Sequence, residues 1–197
     1  MHNLKTSIDN FLKQQHSVID EILCDTSKII EIIDCLTKAR DNGKKIFTMG
    51  NGGSASTASH FTSDLLKTAI LKDGKRFQSI SLVDNIPVIL AWSNDTSFDE
   101  VFLEQLKNHL LKGDIIIGFS GSGNSANIIK SFQYGKKHGA TCIGFTGKSG
   151  GKLKNYCDIC LRIPSDDMLA IESHHLMLCH CIINAISGLG NPLFKYR

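Results

Sequence analysis

Several things are scarce in this chain of 197 residues. Only three prolines occur, and no Pro-, Gly- or Ser-rich tract interrupts the sequence, so no flexible linker between domains is expected. No apolar run approaches the ~18–20 residues that a membrane helix needs. The opening Met1-His2-Asn3-Leu4-Lys5 is not followed by the apolar stretch of a secretory signal. These absences set the expectation of a cytoplasmic protein with no membrane partner. An excess of one charge is lacking too, since 22 Lys and Arg stand against 19 Asp and Glu. The basic pairs Lys44-Lys45, Lys75-Arg76 and Lys136-Lys137 are short and separated. A nucleic-acid footprint clusters such residues on one face, so no nucleic-acid partner is expected.

What is present is ordinary globular material, with 42% hydrophobic and 21% charged residues. Disorder as the dominant state is excluded, because it needs low hydrophobicity and high net charge. Seven cysteines are an odd number and sit in apolar contexts, which predicts reduced, packed thiols. Cys157 and Cys160 have zinc-like spacing, but no second pair answers them. The alternation from Cys157 to Ile163 reads as a strand instead.

The period of apolar residues divides the chain near residue 43. Leu4, Ile8, Phe11, Leu12, Ile19, Ile22 and Leu23 recur at helical spacing. A second helix carries Ile29, Ile30, Ile32, Ile33 and Leu36, with Asp25 or Thr26 as its N-cap and Asn42-Gly43 as its stop. Its apolar residues lie on more than one side, so it is expected in a helical layer or against another chain. From Lys44 onward strands at 46–49, 77–82, 114–119, 141–145 and 159–163 alternate with helices near 53–67, 85–92, 99–111, 124–138 and 168–187. Short β-rich runs between helices predict a three-layer, doubly wound parallel α/β sheet, with ligands at the carboxyl ends of its strands. Residues 1–43 are read as N-terminal helices and 44–197 as the α/β domain.

One local pattern appears twice. Gly50-Asn51-Gly52-Gly53-Ser54-Ala55-Ser56 follows the first strand, and Ser120-Gly121-Ser122-Gly123-Asn124-Ser125-Ala126-Asn127 follows the third. Glycines let the backbone turn and approach a ligand. The helix that follows offers free N–H groups and a partial positive charge, and serine hydroxyls add donors, so each loop is a candidate phosphate site. Tight βα turns with ordinary caps are the alternative for either loop alone. A dinucleotide site also wants an acid at the end of the second strand, and Asp84 comes too late. A Walker A loop fails because Cys142 stands where its first glycine belongs. A small phosphorylated ligand fits better.

Candidates for acid–base or metal chemistry follow. His60 and Asp64 are four apart on a predicted helix, so they share a face. The last helix carries Glu172, His174, His175 and His180. His174 and His175 are adjacent and point about 100° apart, so both cannot face one site. His175 could pair with Glu172, three residues before it. Glu172 and His180 lie about 12 Å apart along a helix and could only just converge on one ion, more easily if its first turn frays.

The glycine-serine loops, His60, Ser93-Asn94-Asp95 and Thr146-Gly147-Lys148-Ser149-Gly150-Gly151-Lys152, taken in order, resemble the phosphoheptose isomerase family of sugar isomerase (SIS) domains. The resemblance covers nearly the whole chain. It implies a flavodoxin-like sheet, a homotetramer with active sites at subunit interfaces, and assembly through the N-terminal helices. It implies phosphate contacts at Ser54, Ser120, Ser122 and Ser125, and substrate-contacting loops that include Asn51, Gly52, Gly53, Asn94, Asp95 and Gly121. It places one zinc or other divalent ion per subunit on His60, Asp64, Glu172 and His180. Asp64 stands where the family has Glu, Glu172 where it has Gln, and Lys67-Thr68 where it has a basic residue.

The activity implied is interconversion of sedoheptulose 7-phosphate and glycero-manno-heptose 7-phosphate through an enediol. Such a step needs a base at carbon, an acid at oxygen and stabilisation of enediolate charge. Asp64 is the expected base, with Glu172 as the alternative, and His180 the expected acid. Three rival readings share the fold: a phosphosugar-binding SIS domain without turnover, a binding partner of a replication-initiation protein, and an isomerase of another phosphosugar.

Overall fold

The isoleucine run at 115–117 becomes the centre of the sheet. In the computed structural model, which describes residues 3–194, the elements are α1 (Leu4–Leu23), α2 (Ser27–Asp41), β1 (Lys45–Gly50), α3 (Gly53–Leu66), β2 (Gln78–Ser81), α4 (Ile86–Asp95), α5 (Leu103–His109), β3 (Ile115–Ser120), α6 (Ala126–Lys137), β4 (Thr141–Thr146), β5 (Ile159–Arg162) and α7 (Met168–Gly188). Met1 and His2, which open the segment read as lacking a signal sequence, lie outside the described residues. The five strands pair in the order β2-β1-β3-β4-β5, all parallel. Ile115 and Ile117 pack on one face with Ile46, Ile29, Ala58 and Leu178. Ile116 packs on the other with Phe47, Leu106, Ile128 and Phe132. A strand buried on both faces explains why its sequence is apolar without alternation. Helices cover both sides, which makes the three layers.

Local details differ from the sequence expectations. The helix expected near 99–111 is two pieces, a 3₁₀ turn over Phe98–Glu100 and then α5. Ser97 begins the turn by accepting a hydrogen bond from the Asp99 N–H, and Gln105 is drawn inward, its amide donating to the Leu82 and Val101 carbonyls. Helix α4 runs on to Asp95, so Asn94 and Asp95 form its last turn rather than a loop. Thr26 is the N-cap of α2 by position, but it makes no side-chain cap bond; Asp25 supplies the carboxylate oxygen that accepts from the Ser27 N–H. The strand read from Cys157 begins at Ile159, and the Cys157 thiol instead donates to the Leu153 carbonyl.

The two N-terminal helices behave differently. Helix α2 buries Ile29, Ile32 and Leu36 in the core, beside α7 and β5. Helix α1 buries only Val18 and leaves Leu4, Ile8, Phe11 and Leu12 exposed. Helix α7, with 21 residues, is long and apolar enough by length and composition to cross a membrane. No membrane-length run is visible in the sequence because three histidines and a glutamate interrupt it. The helix packs as a core element, with Ala170, Ile171, Leu178, Cys179, Ile182, Ile183 and Ile186 buried.

Candidate active site

Strand order reverses direction between β1 and β3, and this is where open parallel sheets form ligand crevices. Gly50 is in register with Phe119, and Ser120 with Thr146. The two glycine-serine loops therefore leave the sheet side by side. Gly52 takes a φ of +54° as the N-cap of α3, a region that L side chains avoid. Ser125 is the N-cap of α6. The N-termini of α3 and α6 thus meet at one small cavity of about 230 Å³.

That cavity is lined by Asn51, Ser54, Ser120, Gly121, Ser122 and Ser125 from the loops, by Phe119 from β3, and by Met168 and Glu172 from α7. The Ser120 and Ser125 hydroxyls are 3.1 Å apart. Among the described residues no lysine or arginine lines it. The groups it offers an anion are hydroxyls, free N–H groups and helix dipoles. The two loops are tied together by a pair of amides. Asn51 donates to the Asn127 carbonyl oxygen at 3.0 Å, and Asn127 donates back at 2.9 Å. Asn127 is buried and its oxygen also accepts from the Ile128 N–H. The loop after β4 braces the second one, since Gly147 donates to the Gly121 carbonyl and Leu153 to the Gly123 carbonyl.

Below the cavity lies His175, fully buried between Phe119 and Phe145. Its Nε2 is 3.3 Å from the Thr146 carbonyl, and its Nδ1 has no partner. Burial pushes its pKa down to about 4, against the raising effect of the carbonyl contact. His174 instead joins α7 to α1, with Nε2 3.2 Å from the Gln15 carbonyl. The pairing of His175 with Glu172 expected from their spacing does not form, because the imidazole turns into the sheet.

Helices α3 and α7 run alongside each other from this cavity, and opposing residues mark three rungs. At the first, a Cβ on Gly53 would stand 2.5 Å from the Glu172 carboxylate, so only glycine leaves room for that carboxylate. At the second, His60 and His180 bring their Nε2 atoms to 3.0 Å. Asp64 Oδ2 lies 3.5 Å from the first and 3.7 Å from the second. At the third, Ser187 donates to the Thr68 carbonyl at 3.3 Å. The second rung is about 9 Å along α3 from Ser54 and about 12 Å along α7 from Glu172.

The second rung has the make-up of a metal site. One oxygen and two imidazole nitrogens lie within 4.8 Å of one another. Donors on a tetrahedral ion with bonds of about 2.0–2.1 Å are separated by about 3.3–3.4 Å, and the observed distances of 3.0, 3.5 and 3.7 Å span that value. The residues present fit a divalent ion, which His60, Asp64 and His180 would hold. Both imidazoles are about half exposed, whereas Asp64 is largely covered. On the far side of this rung Asp64, Thr68, His180, Asn184 and Ser187 open onto a larger cavity of about 820 Å³.

Of the residues singled out in the sequence, Ser54, Ser120, Ser122, Ser125, Asn51 and Gly121 line one cavity, and His60, Asp64 and His180 form one group. Glu172 belongs with the serine cavity and stands outside that group. Asn94 donates to Asp95 at 2.8 Å on the exposed end of α4, and neither lines the serine cavity. Met168 was missed because a methionine at a helix start carries no chemical signal. Asn127 and Thr68 were missed because their role rests on partners that sequence spacing does not reveal.

Comparison with known proteins identifies the family. The SIS domain family matches residues 10–147. The phosphoheptose isomerase of Clostridium acetobutylicum is 35% identical over 186 residues, covering 93% of this chain and 94% of the relative. The probable phosphoheptose isomerase of Thermoplasma acidophilum is 39% identical over 155 residues, covering 79% and 85%. Among solved structures, the phosphoheptose isomerase of Francisella tularensis superimposes with a TM-score of 0.89 at 27% identity, covering 94% of this chain and 99% of that one. That of Neisseria gonorrhoeae gives 0.88 at 25% identity, covering 94% and 100%. On this identity and near-complete coverage, the chain belongs to the phosphoheptose isomerase family of SIS-domain enzymes.

Proposed function

We propose that the protein interconverts sedoheptulose 7-phosphate and glycero-manno-heptose 7-phosphate in the cytoplasm, assisted by one bound divalent ion, zinc in the first instance. The observation that carries this reading is the paired course of α3 and α7. They start at a small cavity lined by serine hydroxyls and reach a His-Asp-His group about 9–12 Å further on, which is the reach of an extended sugar phosphate. The relatives named for this activity support the same substrate.

The serine cavity binds the phosphate, remote from the reacting carbons, so its binding energy can orient the chain. A carboxylate takes the proton from C1 while an imidazole protonates the C2 carbonyl oxygen, giving the enediol; the imidazole then takes back the proton of the C1 hydroxyl as the carboxylic acid delivers its proton to C2. Asp64 and His180 are the groups at the reacting end. Glu172 is the second carboxylate on the path, and it takes the carbon proton if Asp64 is committed to the ion. His60, Asp64 and His180 would hold that ion, which supplies positive charge to stabilise the enediolate oxygens. The exposed apolar residues of α1 support assembly of a homotetramer, with active sites completed between subunits, and sedimentation equilibrium reads that state directly.

The test is NMR of sedoheptulose 7-phosphate with the protein in D2O, with and without zinc. Aldose carrying deuterium at C2 is the expected product. No product and no exchange from zinc-loaded, folded protein would remove this substrate and favour another phosphosugar. Glu172→Gln and Asp64→Asn then separate the two carboxylates: loss of exchange with zinc retained marks the base, and loss of zinc marks the ligand.

A further inference from the structure

We propose that Thr68 is a positioning residue for the metal-binding carboxylate, fixing which oxygen Asp64 presents to the ion; this rests on the reading of the second rung as a divalent-ion site. Asp64 has two carboxylate oxygens in different surroundings. Oδ1 accepts a hydrogen bond from the Thr68 hydroxyl at 2.9 Å. Oδ2 faces the two imidazoles at 3.5 and 3.7 Å. With Oδ1 held, rotation about the Cβ–Cγ bond is blocked and Oδ2 alone is delivered to the donor set.

The anchor is itself held. Thr68 lies just past the end of α3, where the Ala69 N–H donates to the Asp64 carbonyl and the Lys67 N–H to the Ser63 carbonyl. Its own carbonyl accepts from Ser187 of α7. Ser187 is two helical turns beyond His180 on the same helix, so it shares His180's face. The two helices that carry the three donors are thus joined one rung past the ion site, and the joint runs through the residue that orients Asp64. A shorter carboxylate gains most from such a tether, because its oxygen sits closer to the backbone and has less reach to correct a wrong rotamer. Partners of this kind, bonded to a ligand and not to the ion, govern metal affinity strongly in general.

The test is zinc affinity by competition with a chromophoric chelator for the wild-type protein, Thr68→Val, Thr68→Ser and His60→Ala, with the melting temperature of each metal-free protein and the visible spectrum of each cobalt-substituted one. Thr68→Val keeps the shape and removes the hydroxyl, and it is expected to weaken zinc binding by about 10–100-fold and to alter the cobalt spectrum. Thr68→Ser is expected to restore both. Unchanged affinity and spectrum in Thr68→Val overturn the positioning role. So do equal losses in Thr68→Val and Thr68→Ser that follow a fall in metal-free melting temperature, since the residue is then structural only. An unchanged zinc affinity in His60→Ala overturns the donor set, and the role of Thr68 with it.

Discussion

The two ends of the α3–α7 pair are built on different principles. The serine cavity is made of backbone N–H groups, short hydroxyl side chains and two helix N-termini, locked by the reciprocal Asn51–Asn127 amides. Few of its groups have rotamers to lose on binding. The His60–Asp64–His180 group is made of side-chain atoms from two helices, 120 residues apart at its closest contact, and its imidazoles are half exposed. One end is a feature of the fold and the other is a feature of the pairing of two helices. On the proposed reading, the fold-built end would hold a phosphate and the side-chain group would carry the chemistry.

The comparison is tested most severely at the chemical end. His180→Ala should lower isomerisation by about 10³-fold while leaving the affinity for inorganic phosphate, read by calorimetry, near its wild-type value. Removing the ion with a chelator should do the same. A parallel loss of phosphate binding would break the separation between the two ends.

Acid should strike the cavity end through His175. Its folded pKa of about 4 lies below the unfolded value of 6.5, so the unfolded chain binds the extra proton. Stability is fully present above pH 6.5 and is lost as pH falls toward 4, by about 3 kcal/mol for this one group. Denaturant melts across that range should show the slope, and His175→Leu should flatten it. A slope unchanged in the variant would assign acid sensitivity elsewhere.

The amide clasp provides a third test. Asn127→Ala leaves the Asn51 side chain without its partner and should cost about 1–3 kcal/mol of stability. Phosphate affinity should fall roughly tenfold, equivalent to about 1.4 kcal/mol, with zinc affinity unchanged. Equal losses of phosphate and zinc would show that the clasp supports both ends.

The smallest effect is expected at the first rung. A Cβ at Gly53 meets the flexible end of Glu172, so Gly53→Ala should displace that carboxylate and change unfolding free energy by only about 0.5 kcal/mol. Phosphate binding should strengthen a few-fold as the negative charge moves away. A weaker phosphate complex would instead place the Glu172 carboxylate in a supporting role at the cavity.

Legibility in the sequence followed the same division. The loops were readable because glycine and serine recur at two strand–helix junctions, and all six loop residues that line the cavity are among those the sequence singles out. The isoleucine run at 115–117 identified a strand buried on both faces. The segment 99–111 misled because no glycine or proline marks the break between the 3₁₀ turn over Phe98–Glu100 and α5. Glu172 was grouped with the metal residues by resemblance, whereas its side chain turns toward Gly53 and the serine cavity. Glu172 and His180 share one helix, but their rungs face different neighbours on α3.

By itself the sequence determined the order of strands and helices, the parallel sheet and the two glycine-serine loops, because period, caps and glycine placement are local properties of a chain. Only the tertiary structure decided that His60, Asp64 and His180 converge, that Glu172 does not join them, and that Thr68 holds one oxygen of Asp64. Those facts depend on the register in which α3 and α7 pack. That register is fixed by side chains buried along the two helices, including Ala58, Phe61 and Leu65 on one and Leu178, Cys179 and Ile182 on the other, and by no pattern within either helix alone.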